Sequence, residues 1–97
     1  MAETELYRQE GEEFRSVRLR VNADGSVHID AQDMGPLVEK IWGDDDYEFG
    51  VRVPTAASPK LIFALLRDKY QGRGGAVDEF QEFCKKEGIE NEWWSWS

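Results

Sequence analysis

Strict alternation of apolar and polar side chains is the feature that most constrains this chain. It is clearest in VRLRV at residues 17–21 and in VHIDA at residues 27–31. A period of two residues is typical of a β-strand with one buried face. The stretch NADGS at residues 22–26, which separates the two runs, is rich in turn-forming residues. The sequence therefore predicts a β-hairpin with a loop of about three to five residues.

Later patterns predict a short helix, a third strand and two longer helices. Asp33 is expected to cap the short helix, and Gly43 to end it. Ser58 before Pro59 is typical of a helix start, and Gly88 is a natural residue to end the last helix. The predicted elements are a short helix after Asp33 with Pro36 in its first turn, a strand from Tyr47 to Val53, a helix from Lys60 to Tyr70, and a last helix that carries Val77, Phe80, Phe83 and Cys84 at helical spacing.

The chain finishes with EWWSWS, residues 92–97. Alternation predicts a last strand here, with Trp94 and Trp96 on one side and Trp93 on the other. The predicted order is β-β-(short α)-β-α-α-β. This is an α+β fold in which two main helices pack on one face of a mostly antiparallel sheet of about four strands.

One domain accounts for the whole length of 97 residues. We expect residues 1–13 to be the loosest segment, although Leu6 and Tyr7 could start an edge strand, and residues 14–97 to form a single domain. The net charge of −8 disfavours nucleic acid as a partner, because such binding depends on basic residues that neutralise phosphates. No apolar run is long enough to cross a membrane, and no charged start leads into an apolar run with a small-residue cleavage site, so a soluble cytoplasmic protein is expected.

Part of the chain resembles a known group of proteins. The segments DDDYEFGVRVP, FALLRDKYQG, AVDEFQEFCKKEGI and EWWSW, between residues 44 and 97, are similar to those of a group of small bacterial proteins with no assigned activity. The resemblance implies the same arrangement of strands and helices over that region. It implies no catalytic residue.

Candidate catalytic and metal-binding residues are few. Cys84 and His28 are the only cysteine and histidine, so a nucleophile–base pair would have to use both. Cys84 lies on the apolar stripe of a predicted helix, which favours a buried, inert thiol. The acidic loop Asp44–Asp46 with Glu48 offers oxygen ligands, but its spacing is not that of an EF-hand, which favours a solvated loop over a divalent-ion site. We expect no enzyme activity, no cofactor and no metal.

The predicted sheet carries side chains that indicate a binding surface more clearly than the catalytic and metal candidates indicate a reaction. If the apolar residues of the strands face the helices, the opposite face is polar and partly basic, because side chains alternate. Tryptophan and arginine are enriched in the energetic centres of protein interfaces. The polar face is predicted to hold Arg18, Arg20, His28, Asp30, Glu48 and Arg52, and the predicted binding residues are Arg18, Arg20, His28, Arg52, Trp94 and Trp96.

Two functional hypotheses follow. The first is a non-enzymatic protein–protein interaction module, of the adaptor or immunity type, that uses the arginine and tryptophan face together with the acidic loops. The alternative is a domain that binds a small ligand, or has a minor enzymatic role, at the face of Arg18, Arg20 and Arg52. The expected partner is an unidentified protein, and the chain is expected to be a monomer or a homodimer formed through an edge of the sheet.

Overall fold

The computed structural model describes residues 1–43 and 46–96, without the side chain of Trp42. It confirms an α+β fold with a four-stranded antiparallel sheet and two main helices. The chain divides into two compact units, Met1–Phe63 and Ala64–Ser97, of which the first contains the whole sheet. The strands are β1 (Ala2–Gln9), β2 (Phe14–Val21), β3 (Val27–Met34) and β4 (Asp46–Val53), and the helices are α1 (Pro36–Trp42), a 3-10 turn (Thr55–Ala57), α2 (Ser58–Tyr70) and α3 (Ala76–Lys86).

The β2–β3 hairpin is confirmed, with its loop at residues 22–26. Ser26 is only 1% exposed. Its backbone N–H and its hydroxyl both donate to Oδ1 of Asp24, at 2.9 and 2.6 Å, and its Oγ accepts from Asn22 at 2.9 Å. The two hydrogen bonds that Ser26 donates, first that of its hydroxyl, lower the pKa of the Asp24 carboxyl, since they favour its charged form. The loop is therefore closed by its own polar side chains.

The strands lie in the order β1-β2-β3-β4, so each strand pairs with its neighbour in the chain. The fourth strand is β1, at the N-terminal edge, and the prediction of a strand at the C-terminal end is wrong. Residues 89–96 have no regular secondary structure. In the register, Glu3 lies opposite Arg20 and Glu5 opposite Arg18, and unlike charges on facing strands stabilise a pair.

The register confirms the two faces expected from the alternation. Apolar residues line up across the strands, for example Val17 with Ala31 and Phe49. Ala31, in the central part of this row, is buried. We call this side the apolar face; it comprises Val17, Leu19, Val21, Val27, Ile29, Ala31, Tyr47, Phe49, Val51 and Val53.

Helix α1 begins differently from the prediction. Asp33 does not cap it, because this residue belongs to β3 and binds Arg15 of β2 through two hydrogen bonds of 2.5 and 2.6 Å. The backbone N–H of Leu37 instead donates to Oε1 of Glu13 at 2.9 Å, so a carboxylate distant in sequence satisfies one of the free amides of the first turn. The helix ends, as predicted, at Gly43, whose φ of 78° is left-handed.

The second unit, taken by itself, contains α3 and the end of α2. Cys84 is 3% exposed, which confirms that the apolar stripe buries it. The rings of Tyr70 and Phe80 meet edge to face with centroids 5.8 Å apart. Gly88 has a φ of 67°, and the N–H of Ile89 donates to the carbonyl of Cys84 at 2.8 Å. The N–H of Gly88 donates to the carbonyl of Lys85 at 3.3 Å, and these two bonds form a Schellman motif, so the predicted glycine end of α3 is confirmed.

Candidate functional site: the charged face of the sheet

The face opposite the apolar one brings together four of the six predicted binding residues. Three rows of side chains cross it from β1 to β4, because residues in register share a face. We call this surface the charged face. Its rows are Glu3–Arg20–His28–Arg52, Glu5–Arg18–Asp30–Gly50 and Arg8–Ser16–Gln32–Glu48.

Asp30 is the centre of the ion pairs on the charged face. Nη2 of Arg20 donates to Oδ2 of Asp30 at 3.2 Å, and Nε of Arg18 lies 3.9 Å from Oδ1 of the same carboxylate. Nη1 of Arg18 is also 3.8 Å from Oε1 of Glu3. Such partly exposed pairs contribute little to stability, about 0–1 kcal/mol each. Their effect here is to hold two guanidinium groups side by side.

Three arginines keep donors that are not used within the described residues. Nε of Arg20 is buried and has no hydrogen-bond partner among residues 1–43 and 46–96. Arg52 has no ion pair in the same part of the chain, although its charge helps to lower the pKa of Asp24. An unpaired buried donor costs about 1–3 kcal/mol. The donors open to a binding partner are instead those of Arg18, whose carboxylate contacts of 3.8 and 3.9 Å are too long for hydrogen bonds, and those of Arg52.

Gly50 helps to form a depression in the charged face. A Cβ atom at this position would lie 2.7 Å from Cβ of Asp30 and 2.9 Å from the carbonyl oxygen of Ile29. Glycine is therefore required by the close approach of β3 and β4. The missing side chain helps to form a shallow depression of about 360 Å³, whose lining includes Arg18, Arg20, His28, Asp30, Gly50 and Arg52.

Carboxylates on β1 lie along the edge of the charged face that is opposite β4. Oε2 of Glu5 accepts from the buried hydroxyl of Ser16 at 2.7 Å and from Nη1 of Arg8 at 2.9 Å. These two hydrogen bonds, first that of Ser16, lower the pKa of Glu5. Glu5 is therefore ionised at neutral pH and limits the positive charge at this edge.

The structure does not bring the tryptophans into the same unit as the arginines. Trp94 and Trp96 follow α3 in the second unit, where they are 74% and 90% exposed. A single surface of arginine and tryptophan on one sheet, as the sequence predicted, required the C-terminal strand that is not formed. The two groups are therefore separate candidates for recognition.

The catalytic and metal readings gain no support. Within the described residues, no group of three or more His, Cys, Asp or Glu side chains is placed to hold a metal ion. Asp44 and Asp45 lie outside those residues, and Asp46 accepts a hydrogen bond from Gln32 at 3.1 Å. Cys84 belongs to the other unit from His28, and its thiol is buried.

Sequence reasoning missed three residues that contribute to this surface. Gly50 stands where the alternation of β4 calls for a polar side chain, and this break was the available signal. Glu3 and Glu5 had no signal of their own, since their role appears only when β1 pairs with β2.

No helix within the described residues is long and apolar enough to cross a bilayer. No protein-family model, curated protein or solved structure matches the chain.

Proposed function

We propose that this chain is a non-enzymatic protein–protein interaction module of the adaptor or immunity type, and that the charged face is its main recognition surface. The observation that carries the proposal is the half-exposed guanidinium of Arg18, whose carboxylate contacts of 3.8 and 3.9 Å are too long for hydrogen bonds, beside a depression that Arg20 and Arg52 also line. Arginine donors of this kind bind carboxylates well. The partner surface is therefore acidic, with side-chain carboxylates directed into the depression.

The exposed tryptophans support an interaction role independently. Large aromatic side chains that remain exposed mark sites of association more often than isolated aliphatic ones do. Trp93, Trp94 and Trp96 form such a group within ten residues of the end of α3 at Lys86. They provide a second contact, with an apolar partner surface.

Affinity capture from the source cell tests the proposal. The wild-type chain should recover a specific partner, and Arg18→Gln/Arg20→Gln should lose it, because this variant removes two guanidinium groups from the charged face. Lys60→Gln/Arg73→Gln removes the same charge from positions outside the sheet and should behave as the wild type. Equal recovery by both double variants would contradict the proposal.

A second function, binding of a small anionic ligand, is favoured by one observation. The depression is lined by three arginines, of which the side chains of Arg18 and Arg52 donate no hydrogen bond within the described residues. Titration with small carboxylates and with inorganic phosphate, followed by NMR, should then shift the side-chain resonance of Arg18 in a saturable way. A linear response that Arg18→Gln leaves unchanged would rule this function out.

A further inference from the structure

The outer edge of β4 is free in the described structure. β4 is the last strand of the sheet, and residues 48–53 make no backbone hydrogen bond except to β3 among the described residues. Val51, in the middle of this edge, is 70% exposed. An uncovered edge of regular strand is a template for pairing with another chain.

The other edge of the sheet is protected. β1 has an irregularity between Glu5 and Tyr7, where Leu6 has no partner on β2. A bulge is one of the devices by which edge strands avoid pairing, whereas charged residues occur on both edge strands. Of the two edges, only that of β4 shows neither a bulge nor a proline within the strand.

The backbone of β4 presents its hydrogen-bonding groups outwards at Gly50. The N–H of Asn22 donates to the carbonyl of Ser26 at 2.9 Å, so alternation makes Arg18 and Asp30 a hydrogen-bonded pair of β2 and β3. This leaves Asp30 and Gly50 as a pair without mutual hydrogen bonds. The N–H and C=O of Gly50 therefore point away from β3. By the alternation of the strand, those of Glu48 and Arg52 do the same.

The sequence of β4 is complementary to itself when reversed. We propose that two copies of the chain form a symmetric dimer by antiparallel pairing of their β4 edges about a two-fold axis at Gly50. Glu48 of each copy then lies opposite Arg52 of the partner subunit, so that two unlike pairs form on the charged face. On the apolar face, Phe49 lies opposite Val51 of the partner subunit.

Other positions of the axis are less favourable. An axis at Glu48 or at Arg52 would oppose two like charges directly, which destabilises strand pairing. An axis at Phe49 would leave Glu48 opposite glycine. Within one strand Glu48 and Arg52 are about 13 Å apart along the chain, at roughly 3.3 Å per residue, and do not neutralise each other. Of these positions, only the axis at Gly50 places Glu48 of each copy opposite Arg52 of the partner subunit, so that the unlike pair forms twice in the dimer.

The dimer goes beyond the proposed function and does not depend on it. It joins two sheets into one of eight strands, with the two charged faces on the same side. Arg52 is then shared with the partner subunit, whereas Arg18, Arg20 and His28 of each copy remain on the open surface. A failure of the dimer would therefore leave the capture experiment with Arg18 and Arg20 unaffected.

Charge reversal tests the dimer and its register. Sedimentation equilibrium of the wild type should give twice the chain mass of 11.2 kDa at high concentration. Glu48→Arg and Arg52→Glu should each weaken association by roughly tenfold or more, since each change opposes like charges twice. The double variant Glu48→Arg/Arg52→Glu should restore it. Lys60→Glu, a matched reversal on α2, should have no effect.

Amide exchange gives a readout that needs no variant. The N–H of Gly50 should exchange more slowly as the protein concentration rises, because pairing buries it in a hydrogen bond. A wild-type chain that remains monomeric at millimolar concentration would overturn the proposal. So would a dimer that neither single reversal weakens.

Discussion

The packing of β3 against β4 at Gly50 predicts that even the smallest side chain destabilises the sheet. In the interior of an ordinary strand, replacing glycine by alanine gains about 0.5–1 kcal/mol, because glycine loses more conformational freedom on folding. Here the added Cβ would lie 2.7 Å from Cβ of Asp30 and 2.9 Å from the backbone of residues 29 and 30. Relief requires movement of β3, and overpacking of this kind costs about 1–3 kcal/mol. Gly50→Ala should therefore lower the free energy of unfolding by roughly 1–2 kcal/mol.

Thermal unfolding followed by circular dichroism measures this effect. For a chain of this size the loss corresponds to a fall in melting temperature of roughly 5–15 °C. Gly74→Ala is the matched control, because an added Cβ there meets nothing within 4 Å. The control should change the melting temperature little, and both variants should be compared at one protein concentration. A Gly50→Ala protein as stable as the wild type, or more so, would refute the close approach of the two strands.

Three further outcomes are expected. Ser26→Ala should cost about 1–2 kcal/mol in denaturant unfolding, because it removes the hydroxyl that bridges Asn22 and Asp24; an unchanged midpoint would show that the loop does not need it. The two hydrogen bonds from Arg15 lower the pKa of Asp33, so the stability they provide is complete above the unfolded pKa of about 3.9 and is lost as the pH falls through the lower folded value. Acid unfolding of Asp33→Asn should then have a shallower slope than that of the wild type below about pH 4, and an identical slope would count against the pair. Replacing the tryptophans of residues 94 and 96 by alanine should change stability by less than about 0.5 kcal/mol, as expected for exposed positions; a large loss would mean that they belong to a core.

The strands and helices that alternation and helical spacing mark clearly could be predicted from the sequence. The β2–β3 hairpin, β4 and the glycine end of α3 depend on patterns within a few residues of the chain. For the same reason Arg18, Arg20, His28 and Arg52 could be placed on one face before the structure was known, because alternation alone decides which side they take.

The remaining features depend on contacts between distant residues. The pairing of β1 with β2 places Glu3 and Glu5 opposite the arginines of β2, a contact between strands that no local pattern in residues 1–9 predicts. The start of α1 depends on Glu13, which is 24 residues from Leu37 in the chain. Asp33 is a residue type that often caps helices, but its two hydrogen bonds with Arg15 on the neighbouring strand hold it in β3.

Site-specific photo-crosslinking tests the recognition surface most directly. A photoreactive phenylalanine analogue placed at Gln32 would lie on the charged face, beside Asp30, and the same analogue placed at Lys60 would lie on α2. If the charged face binds the partner, irradiation in the source cell should give a specific adduct with another protein from position 32 and none from position 60. An adduct from position 60 alone would contradict the assignment of the charged face.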